Sequence, residues 1–295
     1  VFIDKDLTLT ESILIDKPIV LKGIPAADKN PELKYSNNRD RNAILIIQNG
    51  GELRVSGLDF NGASENGIAN GAILTQNEPA IEHYNLFIDD CSFYNFNEGK
   101  VTAIQAFKST FADSIVISNS IFHTISGMGL NLKAEIEDLG KYNAEYVILK
   151  NCLFYNIMGS AIDLYRGGND ESTTGPSLQV DQCTFYNVEN KELGSTIILT
   201  GVQDIRITNS IFSNSGKSGR VIHLEDQGWI QCHIDHNVFH NCGRFESFYD
   251  NRLGKNNLYL DPGFFSVENA DFRLDESSKL YSSQKNITIP GYKQL

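Results

Sequence analysis

Long apolar runs are missing from this chain. None of its 295 residues belongs to a stretch approaching the roughly eighteen apolar residues of a membrane-spanning helix. The opening "VFIDKDLTLT" lacks the basic-then-apolar layout of a signal peptide, which leaves a cytosolic chain or one whose leader has been removed. Basic residues are also scarce: 25 Lys and Arg face 37 Asp and Glu, for a formal charge of -12. Phosphate backbones and anionic lipids need a basic footprint, so nucleic acid and membrane surfaces are poor partners, and no lysine block forms a tail. A polyanionic substrate would need a local basic patch or a metal ion.

The five cysteines, Cys91, Cys152, Cys183, Cys232 and Cys242, are an odd number for a disulfide framework, and none forms a Cys-x-x-Cys pair. Three of them recur at one place in a repeated phrase, which reads them as small buried apolar residues. Gly-rich phosphate loops and the Gly-x-Ser-x-Gly elbow are absent too.

What is present is a period. With 41% hydrophobic residues the chain can bury a sizeable core, and its phenylalanines mark one: Phe60, Phe93, Phe122, Phe154, Phe185, Phe212 and Phe239 follow one another at 27 to 33 residues. Two residues before most of them stands a small side chain (Cys91, Ser120, Cys152, Cys183, Ser210). Two residues after stands Asn95, Thr124, Asn156, Asn187, Asn214 or Asn241.

A short alternating run precedes each anchor ("NLFID", "SIVIS", "YVILK", "SLQVD", "DIRIT") and another follows it ("AIQAF", "GLNLK", "AIDLY", "TIILT", "VIHLE"). Val147 and Leu149 are odd-numbered, whereas Cys152 and Phe154 are even. Strand side chains alternate faces, so a bend near Lys150 and Asn151 is required to aim both sets at one core. Asparagine suits such bends because it tolerates left-handed backbone angles and its amides can stack from coil to coil.

Three short strands per unit of about thirty residues describe an all-β fold, a right-handed parallel β-helix in one domain over 1–295. The rival leucine-rich repeat needs a shorter period and a recurring Leu-x-x-Leu-x-Leu phrase, and a β-sandwich holds no such period. A solenoid needs caps. Residues 255–295, including "YLDPGFFSVENADFRLDESS", read as a terminal capping segment. The start is strand-like text with no covering helix, so a preceding element is expected against it.

In the strand after each anchor the alternation sends Ile162 and Leu164 inward and Asp163 and Tyr165 outward. The same register lines up Gln105 and Phe107, Asn131 and Lys133, Ile198 and Thr200, and His223 and Glu225 as an outward ribbon. The adjacent loops "KAEIEDLGKYNAE" (133–145) and "RGGNDESTTGP" (166–176) add Glu135, Glu137, Asp138, Lys141, Tyr142, Glu145, Arg166, Asp170 and Glu171 to one wall. Charged loops are commonly solvated faces with internal ion pairs. The functional alternative is a groove for an extended polymer, with Tyr faces for sugar rings and Arg for carboxylates. Two weaker candidates remain. His233, His236 and His240 near Cys242 resemble a metal cluster, but the register turns them in different directions. Asp163 and Glu225 could form a glycosidase-type acid pair.

"GKYNAEYVILKNCLFYNI", "AIDLYRGGNDESTTGP" and "LTGVQDIRITNSIF" together resemble the C-terminal β-helix of two-domain alginate lyases in polysaccharide lyase family six, relatives of chondroitinase B. "IQNGGELRVSGLDFNG" resembles the opening of that domain, and the similarity runs to about residue 275. The resemblance implies β-elimination on a uronate-containing polysaccharide, alginate first. A calcium ion neutralises the substrate carboxylate, a lysine removes the C5 proton and an arginine assists. In that family these groups lie in an N-terminal helix, on a Glu-x-Glu-Ile-Ile strand leading to Lys and then an Arg-His-Gly phrase; this sequence has neither phrase. The resemblance therefore implies an accessory half that meets an N-terminal catalytic β-helix, in a periplasmic or secreted enzyme, with homodimers open.

A second reading places the chemistry in this chain. Lys133 is the base, Tyr165 or Tyr142 the proton donor and Arg166 the carboxylate ligand, with Lys141, Tyr142, Tyr165, Arg166 and His223 along the substrate. Calcium is then held among Glu135, Glu137, Asp170 and Glu171. A third reading is a non-catalytic solenoid that binds acidic polysaccharide.

Overall fold

The computed structural model describes residues 1–27, 29–37, 42–64, 67–136, 138, 140–167, 175–190, 194–225, 231–245, 253–283 and 291–293. Among the described residues three parallel sheets of nine, nine and eight strands wrap one core, giving the right-handed parallel β-helix expected from the period. Sheet A carries the strands before the anchors, such as Ala144–Lys150. Sheet B carries the anchors, as in Leu153–Ile157, and sheet C the strands after them, as in Ile162–Tyr165.

The seven phenylalanines pair one above another in sheet B. Their ring centroids are 4.5–5.2 Å apart and nearly parallel, and all are buried. Each fully buried Phe contributes roughly 1.5–3 kcal/mol of transfer energy. The strand spacing sets the ring separation, because identical side chains at one register position must sit one coil apart.

The bend required near Lys150 and Asn151 is Asn151 itself, at φ 52°. Its equivalents Asp90, Asn119, Gln182, Asn209 and His236 are also left-handed, and so are Asn95, Thr124, Asn156, Asn187, Asn214 and Asn241 two residues past the anchors. Side-chain amides join the coils: Asn151 Nδ2 donates to Asn119 Oδ1 at 2.9 Å, and Asn187 Nδ2 to Asn156 Oδ1 at 2.7 Å. Cys91, Cys152 and Cys183 are buried, as their place in the repeat implies, Cys232 and Cys242 are partly so, and all five are free thiols.

The C-terminal segment does more than extend the stack. Leu253 and Leu258 bridge to Ile234 and Val238 as a partial further coil. The chain then turns back along the outside of sheet B. Its hairpin, Phe264–Ser266 with Asp271–Leu274, places Phe272 against Tyr155 and Tyr186. Leu280 closes a second small core with Ile211 and Val238. Farther back, Tyr292 N donates to Thr184 Oγ1, and Lys293 N to Asn151 Oδ1. At the other end Phe2, Leu14 and Val20 are exposed.

Candidate functional site

The outer face of sheet C has the register anticipated from the sequence. Gln105, Asn131, Asp163, Ile198 and His223 pair in one line across five strands. Tyr165, Thr200 and Glu225 make the neighbouring line, and Lys133 follows Leu132, the partner of Leu164. Alternation therefore puts every one of these side chains on the side opposite Leu130, Ile162 and Leu164, which fill the core.

Within this strip Lys133 Nζ donates to the Asp163 carboxylate. The lysine side chain keeps 35% of its exposure, whereas that of Asp163 keeps 3%. Burial raises the Asp163 carboxyl above its usual range, and the charges of Lys133 and His223 oppose the rise. His223 Nε2 stands 3.7 Å from Glu225 Oε2. Tyr165 Oη donates to the Ile136 carbonyl at 3.0 Å, tying the strip to the loop above it. Asn131 Oδ1 is buried without a hydrogen-bond partner among the described residues.

The loop wall is in large part the solvated face that charged loops commonly make. Lys108 and Lys141 lie 3.2 and 3.9 Å from Asp138, and Tyr142 Oη donates to Glu145 Oε2 at 2.6 Å. Glu135 differs, since it is buried and accepts from the Ser109 amide.

Arg166, expected against a substrate carboxylate, is fully buried, and its three guanidinium nitrogens have no hydrogen-bond partner among the described residues. Arg166 lies just past its strand, Ile162–Tyr165, where it bridges to Tyr142, and its side chain is covered there instead of standing exposed beside Tyr165. Glu137, Asp170 and Glu171 lie outside the described residues.

Among the described residues no three His, Cys, Asp or Glu side chains gather as a metal site. Of the four acids expected to hold calcium only Glu135 lies among the described residues, with one oxygen accepting from the Ser109 amide. His236 is at a bend beside Asp235, and His240 contacts Ser213 and Asp261, so the histidines take separate partners. Asp163 and Glu225 are likewise engaged separately, by Lys133 and by His223.

The sequence reading missed two things: that Asp163 is the partner of Lys133, and that His83 and Phe111 line up with Tyr142. The second had a signal, because each ring stands one or two residues before a sheet A strand.

No family model and no curated protein matches the chain. Solved structures do. The PL6 family alginate lyase AlyGC matches with a TM-score of 0.67 at 23% identity, over 87% of this chain and 36% of that one. An arginine-to-alanine mutant of the same enzyme matches at 0.66, with the same identity and coverage. The chain thus resembles PL6 alginate lyases in fold, and it spans about a third of the length of the structures it matches.

Proposed function

We propose that this chain is a domain of a polysaccharide lyase, and that the outer face of sheet C forms one wall of a groove for a uronate polymer, alginate first. The observation that carries the reading is the Lys133–Asp163 pair. A carboxylate buried beneath a half-exposed ammonium adds little stability, since apolar side chains of similar volume commonly do as well or better. On the open face of a solenoid it does something apolar residues cannot, which is to hold a cation at a fixed place over a strand. A polymer lying along the coils would meet Lys133 with its carboxylates, and His223 and Tyr165 with its hydroxyls.

In β-elimination a base takes the C5 proton, the electron pair forms the C4=C5 double bond, the C4–O bond breaks and the departing oxygen is protonated. The carboxylate on C5 must be neutralised for that proton to leave. Lys133 suits the neutralising role, because Asp163 holds its half-exposed ammonium at a fixed place on the face a substrate carboxylate would meet. The base and a calcium ion are then contributed by an N-terminal β-helix, docked where Phe2, Leu14 and Val20 are exposed. Among the described residues no helix is long and apolar enough to cross a membrane. A polymer substrate too large to enter a cell places the enzyme in the periplasm or outside.

The second reading is a binding module, favoured by the same ion pair, since an ammonium engaged by Asp163 is not poised to accept a proton. Ultraviolet absorbance of the unsaturated product, with alginate and, separately, dermatan sulfate, with and without calcium, is read for the purified chain alone and again with an N-terminal catalytic β-helix restored. Product only in the second case supports the lyase domain, and binding without product in either supports the binding module. A rise from the chain alone, abolished by Lys133→Ala, places catalysis in this chain and overturns both readings. Saturable binding without product, weakened by Lys133→Ala, supports the non-catalytic wall. Neither product nor binding sinks both.

A further inference from the structure

Next to the sheet C strip, but around the corner toward sheet A, lies a recess of about 420 Å³ lined by residues 80–83, 109–111, 135 and 140–142. This is toward the small end of ligand pockets, about 300–1,000 Å³. Its lining includes Glu135, 2% exposed. One carboxylate oxygen accepts from the Ser109 amide, and the other, Oε2, is buried with no hydrogen-bond partner among the described residues. An unmatched buried acceptor is costly, and a donor brought by a ligand removes that cost.

The wall is a run of three rings on successive coils. His83 and Phe111 are 4.5 Å apart and tilted by 51°, and Phe111 and Tyr142 are 5.4 Å apart and tilted by 58°. In the phenylalanine ladder parallel stacking covers every face; here the tilt leaves ring faces uncovered. Lys141 also lines the recess, with its side chain 63% exposed.

We propose that this recess is a carbohydrate subsite distinct from the sheet C strip, taking one pyranose residue of an acidic glycan. Glu135 Oε2 would accept from its hydroxyls, its apolar face would lie on Phe111 and Tyr142, and Lys141 would meet its carboxylate. A multivalent cation is a poorer occupant, because no three metal-ligating side chains gather among the described residues. The proposal rests on the carbohydrate reading above and extends it to a second contact, which would hold a polymer against the wall while the strip engages another residue.

The test is a titration of the ¹⁵N-labelled chain with trimannuronate and, separately, with methyl mannopyranoside, followed by amide chemical shifts. Saturable shifts are expected at residues 80–83, 109–111 and 140–142 with trimannuronate, and weaker ones with the neutral sugar. Glu135→Gln keeps an oxygen for the Ser109 amide but turns the free acceptor into a donor, so affinity should fall about tenfold, the effect of one hydrogen bond. Phe111→Leu should weaken binding severalfold, and it serves as the test if Glu135→Gln fails to fold.

Lys133→Ala should leave the recess shifts in place, which separates the two proposals. Shifts on sheet C without shifts in the recess overturn the subsite and spare the groove. Shifts in the recess that survive while Lys133→Ala changes nothing on sheet C do the reverse. No saturable shift with either sugar, or recess shifts indifferent to both Glu135→Gln and Phe111→Leu, overturns the subsite.

Discussion

Lys133 and Asp163, thirty residues apart in sequence, meet across adjacent coils on the open face of sheet C, with the carboxylate buried and the ammonium half-exposed above it. Asp163 thus sets where the cation is held and how much of its charge reaches a ligand.

Asp163→Asn removes the compensating charge and leaves Lys133 fully available to an anion. Affinity for alginate should rise about two- to tenfold with a steeper salt dependence, as expected for one more uncompensated charge near a surface. Affinity electrophoresis at two ionic strengths checks this, and an affinity that falls or stays level contradicts the role given to Lys133.

Phe154 stacks between Phe122 and Phe185 with no exposed surface. Phe154→Ala should cost about 3–5 kcal/mol through lost transfer energy and an unfilled cavity. Denaturant unfolding measures it, and a loss below about 1 kcal/mol would mean that the stack closes over the gap.

Asn151 combines a left-handed backbone with amide bonds to Asn119 and to the returning C-terminal segment. Asn151→Gly keeps the backbone conformation and loses the bonds, whereas Asn151→Ala loses both. Alanine should be the worse of the two by about 1 kcal/mol, the cost of a Cβ in that region, as read by thermal unfolding.

Two groups on sheet B carry opposite pH dependences. Burial pushes the Asp59 carboxyl from 3.8 up to about 6. The native state then holds a proton that the unfolded chain has released, so this contribution falls as pH rises from about 4 to 6. Burial pushes His123 from 6.5 down to about 4. Here the unfolded chain holds the extra proton, so stability rises with pH across about 4 to 6.5. Relative to wild type, Asp59→Asn should steepen the rise of thermal stability over this window, and His123→Phe should flatten or reverse it. Parallel profiles for all three proteins would contradict both assignments.

The returning segment is anchored by Phe272 on Tyr155 and Tyr186. Phe272→Ala should release it first, seen as faster proteolysis within 264–283 while the amides of Leu153–Ile157 keep their protection from exchange. Equal loss of protection in both places would show the segment to be part of the cooperative core.

Much of this was legible along the chain. The switch in parity between Leu149 and Cys152 located the bend to within a residue of Asn151, because pleated strands cannot otherwise aim both at one core. The same alternation placed Asn131, Asp163 and His223 in one outward line. It could not place Arg166, which stands just past the end of its strand and is buried by contacts that alternation does not encode. The ligand set proposed for calcium rested on resemblance and charge, and of its four acids only Glu135 lies among the described residues, buried and engaged by Ser109.

By itself the sequence determined what repeats: the anchors, the left-handed bends, the three-strand coil and the faces of each strand, all of which follow from local backbone geometry copied every 27 to 33 residues. The tertiary structure alone decided what happens once. The pairing of Lys133 with Asp163, the burial of Arg166 and Glu135, the ring-lined recess and the hold of Lys293 on Asn151, 142 residues earlier, depend on which coils meet and where loops cross them. No local pattern encodes such contacts, because their energy comes from surfaces that exist only after the coils have stacked.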